Sequence, residues 1–113
     1  MTALASVVLL VAGCHRGAAA FTADLTRIAC ETPSPGLVCV AATVKNVGDA
    51  TGHGTCRVLA IRPSDARVLA RGPVIRIPDL RPGHSVVRET AVVVPPPHPS
   101  FGLAWECTPA LRI

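Results

Sequence analysis

The sequence predicts an all-β fold, one disulfide-braced sandwich of about seven short strands. Three observations predict it. Short runs rich in Val, Ile, Thr and Ala recur between clusters of Pro, Gly, Asn, Asp and Ser. No stretch carries the apolar stripe of an amphipathic helix. Beyond Cys14, the cysteines Cys30, Cys39, Cys56 and Cys107 make an even set in a small chain, the composition of an exported domain stapled by two bridges. At 113 residues the chain has room for one domain.

Residues 21–30 read as the first strand, with Phe21, Ala23 and Leu25 on one face. Residues 37–46 form the second, where Val38, Val40, Ala42 and Val44 alternate inward and leave Cys39 outside. Asn46-Val47-Gly48-Asp49 breaks it. The third runs over 55–62, preceded by Gly52-His53-Gly54, whose flanking glycines could expose an imidazole to a metal or proton donor but which reads more simply as a mobile hairpin tip. Pro63-Ser64-Asp65-Ala66 is a turn, because Pro presets φ and Ser and Asp bond their own backbone. Residues 68–71 return, 74–77 make a short strand, and Leu80-Arg81-Pro82-Gly83 turns the chain into a long Val-rich strand over 85–94. Pro95-Pro96-Pro97-His98-Pro99 cannot donate ladder hydrogen bonds and reads as a loop. The last strand, 101–107, places Phe101, Leu103, Trp105 and Cys107 on one face, the expected centre of the core.

Of the three possible disulfide pairings, the turn-rich stretch Thr32-Pro33-Ser34-Pro35-Gly36 favours Cys30 with Cys39, and so Cys56 with Cys107, because it brings adjacent strands back together. A metal site fits poorly. No Cys-x-x-Cys pair exists, and the spacing is not that of a zinc knuckle.

The first residues carry a second kind of information. Residues 3–12 are nearly all apolar. They are too few to span a bilayer, which takes about twenty, but suit the hydrophobic region of a signal peptide. Leu10-Val11-Ala12-Gly13-Cys14 resembles the lipobox of bacterial lipoproteins. The resemblance implies a leader over 1–13, lipidation of Cys14, a short flexible tether over 14–20, a domain over 21–113, and a protein anchored at the outer membrane or cell surface.

A net charge of +4 comes from ten Arg and Lys45 against seven acids, all dispersed. With no interleaved aromatics and no basic helix, nucleic-acid binding is not expected.

Val44-Lys45-Asn46-Val47-Gly48 and, after an intervening strand, Leu80-Arg81-Pro82-Gly83-His84-Ser85-Val86-Val87 resemble the bacterial cell-adhesion-related domains. That resemblance implies an immunoglobulin-like sandwich and a role in adhesion or extracellular binding.

Catalytic residue types are present: His53, His84 and His98, Ser34, Ser64, Ser85 and Ser100, and Asp49, Asp65, Asp79, Glu89 and Glu106. None falls into a nucleophile elbow, a His-Glu-x-x-His pair or a phosphate-binding Gly loop. Copper carriage usually takes Met ligands, and the only Met is the first residue. The expectation is therefore a non-catalytic binding module without a cofactor, joined to the membrane by its lipid. Its partner would be an envelope protein or polymer, met through loops carrying Asp49, His53 and His98 or through a sheet edge. A structural spacer or assembly part is the alternative. A recognition module should expose an apolar or charged patch, whereas a spacer should be evenly polar outside.

Overall fold

A computed structural model describes residues 18–96 and 100–109. Its elements are β1 (Phe21–Ile28), β2 (Leu37–Asn46), β3 (Gly52–Ile61), β4 (Val68–Arg71), β5 (Ile75–Leu80), β6 (Ser85–Val93) and β7 (Gly102–Pro109), with no helix among the described residues. One sheet has the order β1-β2-β6. In the other, Cys56 of β3 lies opposite both Ile75 and Cys107, and Leu59 opposite both Arg71 and Ala104. So β3 is central, β7 flanks one side, and β4 and β5 lie end to end along the other. All ladders are antiparallel. The chain changes sheet after β2, β5 and β6, so that a three-stranded and a four-stranded sheet form a β-sandwich.

The core follows the period of two. Phe21, Ala23 and Leu25 of β1, Val40, Ala42 and Val44 of β2, Cys56, Val58 and Ala60 of β3 and Trp105 of β7 turn inward and form one buried cluster between the two sheets. The core's centre was expected on the last strand, but the fully buried apolar residues are Val40, Ala42, Val44, Val58 and Ala60. The central strands are covered on both sides by neighbours, whereas β7 is an edge strand. Trp105 is buried there, while Phe101, Leu103 and Cys107 are half-exposed.

Four boundaries differ from expectation by two residues or more. β1 ends at Ile28, two residues before Cys30. β3 begins at Gly52, so Gly52-His53-Gly54 is strand and not a hairpin tip. The ladder to β5 holds it, with Gly52 opposite Leu80 and Gly54 opposite Ile77. β5 runs on to Leu80 through Pro78, tolerated because this is an edge strand and a Pro there forfeits no ladder bond on its open side. Finally, β7 continues past Cys107 to Pro109.

Both disulfides lie within a sheet. Cys30–Cys39 closes the mouth of the β1–β2 hairpin, and Cys56–Cys107 joins directly opposed residues of β3 and β7 with Cα atoms 4.0 Å apart. The tight turns use positive-φ Gly36 and Gly83, as loops entering and leaving long strands require.

Asn46 locks one end of the sandwich. It is fully buried. Its amide donates to the carbonyls of Leu80 (2.8 Å) and Ala50 (2.9 Å), and its carbonyl accepts from the backbone of Gly48 (2.9 Å) and Ala20 (3.3 Å). An Asn side chain offers two donor and two acceptor positions, and all four are used. Val47 N–H adds a bond to Ala20 O at 2.8 Å.

Candidate functional site

The sequence-derived candidates divide among unrelated places. Asp49 sits in the loop between β2 and β3, where its carboxylate accepts from Ala18 N–H and its own N–H donates to Ala18 O, both at 3.2 Å. It fixes the incoming chain, so the expected tether is docked over its last three residues, Ala18 to Ala20. His53 projects from β3, and its Nδ1 lies 2.8 Å from Asp79 Oδ1 of β5, both side chains exposed. This is a cross-strand surface pair, and such pairs contribute little to stability. His84 lies in the β5–β6 turn, where its carbonyl accepts from Asn46 N–H. His98 and Cys14 lie outside the described residues. Among the described residues, no three His, Cys, Asp or Glu side chains gather around a point where a metal ion could bind.

The concave feature lies at the opposite end of the first sheet. An open trough of about 1100 Å³ crosses the outer face of β1-β2-β6. Its floor is the row formed by Ile28, Cys39 and Ala91, one residue from each strand in register, together with the Cys30 end of the disulfide. One wall is the turn at Ala29 and Glu31, and the other is the segment from Pro73 to Arg76 that leads into β5. Gly72 allows that second wall. A Cβ there would stand 2.8 Å from the Ala91 carbonyl, so only glycine lets the linker lie against β6.

The surroundings of the trough are apolar and mixed in charge. Val74, Val87 and Val93 are 61%, 57% and 61% exposed, which makes three of the four large exposed hydrophobics neighbours of this face or its wall. Glu31, Arg76, Arg88 and Glu89 line the trough. None of these four is in an ion pair among the described residues. The Asp65 carboxyl, which Arg62 holds well below the usual carboxylate range, belongs to the distant β3–β4 turn.

Sequence reasoning missed this face, although a signal existed. Leu37-Val38-Cys39-Val40-Ala41-Ala42 and Ala91-Val92-Val93-Val94 are unbroken apolar runs. Strands with one solvated face alternate, so an unbroken run marks a second face that is also apolar. Comparison with family models, with curated proteins and with solved structures returned no match.

Proposed function

We propose that this chain is an exported, lipid-anchored protein of the cell envelope whose sandwich is a non-catalytic binding module, and that the trough on the first sheet receives an extended segment of an envelope partner. The observation that supports this reading over an evenly polar spacer is a concave floor with exposed Val74 on its wall and exposed Val93 two residues beyond Ala91 on the same face. Large side chains left in water at one place on a small domain mark a contact surface. The open shape suits a chain laid across three strands better than an enclosed small molecule, and the unpaired acids and bases along the trough suit a partner of mixed charge. Ala18 enters the fold at the Asn46 end, so an anchor at Cys14 would leave the trough at the far end of the strands, turned away from the bilayer.

Two measurements test the two halves. Mass spectrometry of the chain from its host's membrane fraction should find an acylated N-terminal Cys14, and an unmodified Met1 would remove the anchor. Photo-cross-linkers placed in living cells at Val74 and Val93 should give discrete adducts that the same probe at Lys45, at the other end of β2, does not. Equal labelling at all three positions rejects the trough.

A further inference from the structure

The open edge of β7 offers a second surface, distinct from the trough. Gly72 N–H donates to Val58 O at 2.8 Å on the β4 side of β3, so Val58 does not exchange hydrogen bonds with Trp105, its opposite on β7. The 4.0 Å Cα separation of Cys56 and Cys107 agrees, since close pairs are the non-hydrogen-bonded ones. It follows that Leu103, Trp105 and Cys107 turn their N–H and C=O groups away from β3, to the edge where β7 has no ladder partner among the described residues.

Other edges are guarded. β5 carries Pro78, β4 is four residues long, β1 carries Asp24 and Arg27, and Gly72 lies against β6 at Ala91. These are the usual devices against strand addition. β7 has none within Gly102 to Thr108. Its single charge, Glu106, is neutralised by Arg57, whose Nε donates to Glu106 Oε2 at 2.7 Å. Its inward residues Leu103 and Cys107 are half-exposed, so a strand laid beside them would complete the core.

We infer that this edge pairs with the same edge of a second copy of the chain, antiparallel about a two-fold axis at Trp105. An antiparallel edge is its own complement, as a closed dimer requires. In this register the free groups of Leu103, Trp105 and Cys107 meet those of Cys107, Trp105 and Leu103 of the other copy. Apolar inward side chains then oppose one another, and on the outer face Ala104 stands opposite the other copy's Glu106. No like charges are directly opposed. Shifting the register by one step toward the C-terminus would oppose the two Glu106 residues.

Native mass spectrometry of the full chain in excess detergent tests this. A two-chain mass is expected, with slow hydrogen exchange at the Leu103, Trp105 and Cys107 amides. Ala104→Glu should weaken the dimer about tenfold, because two like-charge oppositions are created, whereas Ala104→Lys, facing Glu106, should keep or tighten it. A single-chain mass at every concentration overturns the proposal. So does fast exchange at the three amides of the native chain, which needs no variant to fold, and so does a two-chain mass indifferent to the charge at position 104.

Discussion

Asn46 Nδ2 donates to the backbone carbonyl of Leu80 at 2.8 Å, which ties β2 of one sheet to β5 of the other inside the sandwich. The same side chain holds the loop at Gly48 and Ala50 and the entering chain at Ala20. Its removal strands several backbone groups at once, and a buried unpaired group costs about 1 to 3 kcal/mol. Asn46→Ala should therefore cost about 2 to 4 kcal/mol in chemical denaturation. Asn46→Asp, nearly identical in shape, should cost at least as much, because a carboxylate would face two carbonyls where the amide donates. A loss below about 0.5 kcal/mol for both would show that the loop re-forms its bonds with water.

The two disulfides differ in setting. Cys56 is 2% exposed and faces the core, so its bridge is open only on the half-exposed Cys107 side, whereas Cys30 and Cys39 are both half-exposed at the trough. Reaction with a thiol requires access to sulfur. Mild reductant with alkylation should label Cys30 and Cys39 first, and Cys56 and Cys107 more slowly, because attack there is confined to the Cys107 sulfur. The closed loops, of sequence separation 9 and 51, give about 2.5 and about 4 kcal/mol in the chain-entropy model. Loss of the second bridge should accordingly lower the melting temperature more. Labelling in the reverse order contradicts the burial argument.

Ala66 has φ of 60°, the one positive value at a non-glycine residue among those described. It closes the β3–β4 turn, where its N–H donates to Arg62 O at 2.7 Å and Arg62 N–H to Arg67 O at 2.8 Å. The left-handed region costs an L-residue about 1 to 2 kcal/mol, partly offset by the greater freedom of glycine when unfolded. Ala66→Gly should stabilise by about 0.5 to 1 kcal/mol in thermal or urea unfolding. A destabilised variant would mean that the methyl makes a contact worth more than the strain.

In that same turn the Arg62 guanidinium donates to both Asp65 carboxylate oxygens at 3.0 and 2.8 Å, and with help from Arg67 N–H it lowers the Asp65 carboxyl from 3.8 to about 2. A carboxyl lowered in the fold favours the folded state above its unfolded pKa. That contribution fades as pH falls from about 4 towards 2. The group is exposed to solvent, so the effect is small. Melting curves of the native chain and of Asp65→Asn should differ at neutral pH and converge by pH 2. A gap that persists there would assign the difference to the turn's backbone and not to charge.

Strand alternation was legible because solvent and core impose a period of two, and β2 and β4 match their expected bounds residue for residue. The pairing of the cysteines was legible from the turn between Cys30 and Cys39. Strand ends were not, because Gly52, His53 and Pro78 are local breakers whose place in a strand is set by the partner across the ladder. Asn46 looked like a turn residue for the same reason. Its four bonds go to segments from Ala20 to Leu80, which a local reading does not bring together. The trough depends on the outer face of a sheet, visible in sequence only as apolar runs that fail to alternate.

The docking of the entering chain gives the last prediction. Ala18 and Ala20 bond to Asp49, Asn46 and Val47, and Gly48 lies directly beneath them. A Cβ at Gly48 would collide with the Ala18 carbonyl and stand 2.7 Å from Ala20 N. Both are backbone atoms and neither can swing aside. Gly48→Ala should lift Ala18 to Ala20 from the loop, forfeiting bonds worth about 1 kcal/mol each, while β1 from Phe21 onward stays paired with β2. Hydrogen exchange should accelerate at the Ala20 amide and stay slow through β1, and proteolysis ahead of Phe21 should quicken. Unchanged exchange at Ala20 would mean that the loop yields and the entering chain does not, which would place the rigidity of this end in the bonds of Asn46 and not in the glycine.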